Sequence, residues 1–183
     1  KTFKILLLAV MLLVMVGMTM LIASAEGGQF EVVKGSDSQG TFATFDEALA
    51  KLKETGADTI KLTGDVTLDA AIVIDTPLTF DGGNHTLTFA DNLKGTSTAY
   101  AEAIKVTGAG DVTISNIVVD VLSTTDSYVT AINMNSTGTL TLTGAEVKGA
   151  YFTFYHTANG TIKVGAGSKI GYGNASHVWI VAA

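Results

Sequence analysis

The stretch Ala71-Ile-Val-Ile-Asp-Thr-Pro-Leu-Thr-Phe-Asp-Gly-Gly83 decides the fold. Its apolar residues alternate with polar ones, the period of a strand half buried on one face. The same pattern recurs as Ala103-Ile-Lys-Val-Thr-Gly-Ala-Gly-Asp-Val-Thr-Ile-Ser-Asn116 and Ala131-Ile-Asn-Met-Asn-Ser-Thr-Gly-Thr-Leu-Thr-Leu-Thr-Gly144. It returns again as Thr153-Phe-Tyr-His-Thr-Ala-Asn-Gly-Thr-Ile-Lys-Val-Gly-Ala166, and Val178-Trp-Ile-Val181 opens a fifth copy. The starts at 71, 103, 131, 153 and 178 are spaced as stacked repeats are.

Aligning the copies gives one column of Ile72, Ile104, Ile132, Phe154 and Trp179, and a second of Ile74, Val106, Met134, His156 and Val181. Between them run Val73, Lys105, Asn133, Tyr155 and Ile180, a mixed set suited to an outer face. The following strands give inward columns Leu78/Val112/Leu140/Ile162 and Phe80/Ile114/Leu142/Val164. One copy cannot bury its apolar column, whereas stacked copies bury all of them in a continuous core. Gly82, Asn116 and Gly144 share one aligned turn position and are residues that tolerate positive φ. The expected fold is all-β: a single-stranded parallel β-helix of about five coils. Short alternating strands could instead form an antiparallel sandwich, so the direction of pairing decides between the two.

Three segments are expected. Residues 1–25 carry Lys1 and Lys4, the apolar run Ile5 to Ile22, and the small-x-small pattern Ala23-Ser24-Ala25, which together read as an export signal. The apolar run is long enough that a retained anchor helix is the alternative, and residues 5–22 are then the chain's one membrane contact. Residues 26–57 are expected to cap the solenoid. Gln29 to Lys34 reads as a strand followed by a polar loop, and Thr44-Phe-Asp-Glu47 is a capping box opening a helix from Phe45 to Thr55. Phe45, Leu49 and Leu52 fall on one stripe, and Gly56 suits a C-terminal stop. Residues 58–183 hold the repeats. Unequal loops, Ala90 to Glu102, Leu122 to Thr130 and a tight connection near Ala150, leave the same corner.

All 11 basic residues are lysines, and with 17 acidic residues the formal charge is −6. An acidic chain without arginine argues against nucleic acid as a partner and removes the bidentate clamp for phosphate or carboxylate. The absence of cysteine leaves the core to hold the fold without disulfides.

The runs Gly40-Thr-Phe-Ala-Thr-Phe-Asp-Glu-Ala-Leu49, Asp58-Thr-Ile-Lys-Leu-Thr-Gly-Asp65 and Pro77-Leu-Thr-Phe-Asp-Gly-Gly-Asn-His-Thr-Leu87 resemble the opening of pectin-lyase-like right-handed parallel β-helix modules. These belong to large secreted and cell-surface bacterial proteins. The resemblance covers about residues 40 to 183 and implies an extracellular or cell-surface, non-catalytic structural or adhesive role. Enzymes of that family would need clustered carboxylates, a cation and an arginine, and none of these is legible in the sequence. Asp81 stands alone in its corner column and reads as a turn-former. His85, His156 and His177 lack metal-ligand spacing, and no catalytic residue, metal site or cofactor is expected.

Two surface signals remain. Tyr100, Tyr128 and Tyr151 precede successive copies by two or three residues and should line one corner, either as a stacking stripe for sugar rings or as a cover for the core. Asn84, Asn135, Asn159 and Asn174 each start a glycosylation acceptor triplet. The strand Val178-Trp179-Ile180-Val181 offers an edge for end-to-end self-association into a filament. The functional expectation is thus a non-enzymatic structural or adhesive module, with polysaccharide binding as the alternative and a polysaccharide lyase or hydrolase behind it.

Overall fold

A computed structural model describes residues 27–90, 93–121, 128–148 and 151–172. The expected signal or anchor segment (1–25), the acceptor Asn174, His177 and the edge Val178–Val181 lie outside the described residues. Among those described, no helix is long and apolar enough to cross a membrane.

The chain begins with an antiparallel unit. Strand β1 (Phe30–Lys34) pairs on one side with β2 (Asp37–Phe42) and on the other with β3 (Thr59–Leu62), both antiparallel. The segment after Lys34 reads as a polar loop in the sequence but forms β2. Its polar run hides the strand, but Gly35 at φ 61° turns the hairpin and lays β2 along β1. Helix α1 (Phe45–Thr55) follows as expected. Thr44 Oγ1 accepts from Glu47 N at 3.2 Å, and Glu47 Oε2 accepts from Thr44 N at 3.1 Å. Gly56 closes the helix in the left-handed conformation, with its N–H on the Leu52 carbonyl. The stripe Phe45, Leu49, Leu52, joined by Ala48, is buried. Phe45 packs edge-on against Phe30 and Phe80, with centroids 5.7 and 5.4 Å apart.

Beyond the β1–β3 pair, every ladder among the described residues is parallel. One sheet runs β13 (Thr161–Val164), β10 (Thr139–Thr143), β8 (Val112–Val121), β6 (Leu78–Phe89), β3, β1, β2. The other runs β12 (Phe152–His156), β9 (Val129–Ser136), β7 (Ala101–Gly108), β5 (Ile72–Ile74). Ile72 faces Ile104, Ile104 faces Ile132, and Ile132 faces Phe154. Leu78 faces Val112, Val112 faces Leu140, and Leu140 faces Ile162. Each column is a physical ladder as far as its fourth member, which rules out the antiparallel sandwich for the described repeats. The last described rung is not sealed, since Val164, expected to face inward, is 52 % exposed. Burying each such Ile or Leu contributes ~1.5–3 kcal/mol relative to leaving it in water.

A third set of strands was not expected. The second half of β6 (His85 to Phe89) pairs with β4 (Val66–Leu68) and with Ile117 to Val121 of β8. That part of β8 pairs with β11 (Glu146–Lys148), which pairs with β14 (Lys169–Tyr172). Leu87, Phe89, Val119 and Val147 from this set are fully buried.

The corner between the first and third sets corrects one assignment. Asn116 (φ 49°) and Gly144 (φ 59°) are left-handed as expected, but Gly82 is not. In that copy Gly83 (φ 58°) and Asn84 (φ 67°) take the turn, because β6 carries two extra residues between its paired Asp81 and His85. Gly82 is there for space: a Cβ would lie 2.4 Å from Ile117 Cβ and 2.5 Å from the Asn116 carbonyl oxygen. Asp81 is the turn-former, its Oδ1 accepting from Gly83 N and from Asn116 Nδ2, both at 3.1 Å.

Candidate functional site

Parity sets which side chains of β5, β7, β9 and β12 face away from the core. Position by position, Val73 faces Lys105, Lys105 faces Asn133, and Asn133 faces Tyr155. Three residues earlier in the chain, Glu102 faces Thr130, and Thr130 faces Phe152. The corner just before these strands carries the three tyrosines. Their backbones are tied: Ala101 N donates to the Tyr128 carbonyl at 3.1 Å, and Tyr151 N donates to the Val129 carbonyl at 2.9 Å.

The tyrosines meet, and they recruit two further rings. Tyr100 lies 6.4 Å from Tyr128, 5.0 Å from Phe152 and 6.0 Å from Tyr155, centroid to centroid. Tyr151 lies 4.9 Å from Tyr128 and 4.6 Å from Phe152. The contacts are edge-on or tilted, the geometry that aromatic quadrupoles prefer. The expected stripe is therefore an interlocked five-ring cluster, in which Tyr100 (37 % exposed) and Tyr151 (40 %) stay open to solvent. Tyr128 adopts φ 45°, which is costly for an aromatic residue. The loop before β7 packs tightly there, since a Cβ on Gly95 would lie 2.5 Å from the Tyr128 carbonyl oxygen. Tyr155 was legible only as a member of the fourth copy and Phe152 lies just before that copy, because nothing in their spacing marks them as neighbours of Tyr100.

Beside the rings lies a polar group that the alignment scattered along an outer column. Glu102 Oε2 sits 3.0 Å from Lys105 Nζ, and Glu102 Oε1 accepts a hydrogen bond from Asn133 Nδ2. Thr157 Oγ1 donates to Asn133 Oδ1 at 3.4 Å. Asn133, expected on an exposed face, is only 3 % exposed. The Glu102 carboxylate and the Thr157 hydroxyl lie against its amide. Thr130 is fully buried in the adjoining column, and its hydroxyl has no partner among the described residues.

Protein-family models, curated proteins and solved structures contain no match to this chain. What the arrangement can do chemically therefore rests on its own side chains.

Elsewhere the carboxylates support the scaffold. Asp65 Oδ1 accepts from Thr86 N at 2.9 Å and lies 3.5 Å from His85 Nδ1, so His85 neighbours Asp65 rather than Asp81. Asp111 Oδ1 accepts from Thr139 N at 2.7 Å. Asp120 pairs with Lys148 and Glu146 with Lys169 across successive strands. His156, the fourth member of the second column, has a buried Nε2 without a partner among the described residues. Asn84, Asn135 and Asn159 are all exposed, Asn84 in the β6 bend and Asn159 in the turn after β12.

Proposed function

We propose that this chain is a non-enzymatic structural or adhesive module that works outside the cell. In this reading its repeats close into a right-handed parallel β-helix similar to the pectin-lyase-like modules. The observation that carries the reading is register: successive copies pair in parallel with like residue on like residue along both sheets. Such a ladder makes a stiff, extendable body whose outer faces can vary without disturbing the core. The use of Asp65, Asp81, Asp111 and Asp120 in turns and cross-strand pairs supports a scaffold role over polysaccharide cleavage. Incubation with acidic polysaccharides, with and without calcium, is expected to give no chain shortening and no unsaturated product. Turnover in either condition would overturn the non-enzymatic reading.

A glycan-binding role for the corner is the second reading, favoured by the half-open Tyr100 and Tyr151 rings beside the Glu102–Asn133 group. Replacing both tyrosines (Tyr100→Ala with Tyr151→Ala) should lower retention on insoluble polysaccharide by roughly tenfold or more, the ~1.4 kcal/mol expected of a stacked ring. Unchanged retention would confine these rings to covering the core edge.

A further inference from the structure

The same outer face holds an arrangement with a reactivity of its own. We propose that Lys105 and Asn133 join through a side-chain amide bond, with Glu102 as the catalytic residue that moves the proton.

Three observations place the reactants. Lys105 and Asn133 are direct partners in the β7–β9 ladder, so the backbone fixes their separation at that of neighbouring strands. One carboxylate holds both reacting groups: Glu102 Oε2 is 3.0 Å from the Lys105 amine, and Oε1 accepts from the Asn133 amide nitrogen. The amide oxygen accepts from Thr157 Oγ1 at 3.4 Å. Asn133 is 3 % exposed, and its other neighbour across the ladder is Tyr155. An ordinary outward lysine on a strand extends into water, whereas this one folds onto a carboxylate already bound to an amide.

The chemistry follows from those contacts. A protonated amine is no nucleophile, so Glu102 first takes a proton from Lys105 Nζ. The neutral Nζ attacks Asn133 Cγ, and the carbonyl oxygen gains negative charge that the Thr157 hydroxyl stabilises. As the tetrahedral centre collapses, protonated Glu102 returns its proton to Nδ2, against which it already lies. The Cγ–Nδ2 bond breaks and ammonia leaves. Glu102 then takes the second proton from the positively charged Nζ, which completes the neutral amide, and passes it to the departing ammonia; ammonium is released and Glu102 ends as it began. No electron is transferred and no co-reactant is needed. Holding amine and amide together replaces a bimolecular encounter, an advantage that reaches the equivalent of ~10⁵ M or more in well-aligned cases. The product ties two successive copies covalently, so the ladder cannot part between β7 and β9.

Intact-mass spectrometry of the purified full chain tests this. The expected mass is lower than that of the polypeptide by one ammonia, and chymotryptic digestion should give two peptides joined through Lys105 and Asn133. Glu102→Gln, which keeps amine and amide but cannot carry the proton, should show the unreduced mass and a lower melting temperature. Lys105→Arg should show the unreduced mass as well. A full-mass wild-type chain would overturn the proposal, as would ammonia loss confined to the Asn133 peptide alone. Persistence of the joined peptides in Glu102→Gln would overturn the role given to Glu102.

Discussion

Replacing Phe80 by Ala is expected to remove about 3–5 kcal/mol of folding stability, read as a lower denaturant midpoint with an unchanged slope. Phe80 is fully buried in β6, where it faces Ile60 in β3 and Ile114 in β8. It also meets the Phe45 ring at 71°, and Phe45 in turn meets Phe30. The side chain thus joins the repeat core to the helix and hairpin that precede it. Its loss opens a cavity whose walls belong to different elements, each held by its own ladder, so collapse cannot fill it. A cost below ~1 kcal/mol would mean that the cap and the repeats do not share one interior.

The second large effect is expected from a single added methyl group. Gly138→Ala should cost about 1–3 kcal/mol, the usual cost of overpacking a site that cannot yield. An added Cβ would stand 2.2 Å from the Gly110 carbonyl oxygen and 2.6 Å from its carbonyl carbon, both backbone atoms. One copy further on, a Cβ at Gly160 would stand 2.2 Å from the Ser136 oxygen and 2.7 Å from that of Gly138. At the other end of this column, Gly110 lies against the Pro77 ring, 2.1 Å from where its own Cβ would be. The constraint is room between successive copies, since the three glycines are not among the positive-φ positions. Gly64→Ala is the matched control: nothing lies within 4 Å of its added Cβ, and a change within ~0.5 kcal/mol is expected. Equal effects at the two positions would show that the close approach of successive copies does not set the penalty.

These cases show what a single sequence can and cannot convey. Alternation in Ala71–Ile74 and its echoes fixes which side chains face inward, and the recurrence fixes which residue stands over which. The ladders Ile72/Ile104/Ile132 and Leu78/Val112/Leu140 were therefore legible in full. The strand from His85 to Phe89 alternates just as clearly, but two extra residues at its bend break the alignment, so it merged with the loops. The glycine column was hidden because each glycine answers to atoms some 22 to 33 residues away, the Pro77 ring for Gly110 and backbone oxygens for Gly138 and Gly160. Parity placed Asn133 outward correctly but says nothing of exposure. The sequence also does not show that Glu102 reaches forward along β7 to the Asn133 amide on the next strand. The tyrosine corner was visible as spacing, while Phe152 and Tyr155 joined it only through the fold.

The central claim is that consecutive copies lie on one another in a single parallel register, and paired cysteines test it to one position. The chain has no cysteine of its own. Thr113 and Thr141 are direct partners, whereas Thr139 lies two residues back along the same outward row. A Thr113→Cys, Thr141→Cys pair falls within the ~4.4–6.8 Å reach of a disulfide between Cα atoms, and a Thr113→Cys, Thr139→Cys pair, offset by roughly 6–7 Å along the strand, does not. Under mild oxidation of the folded chain, the first pair is expected to close nearly completely within the monomer and the second to stay reduced. Closure of the offset pair, or of neither, would contradict the stacked register.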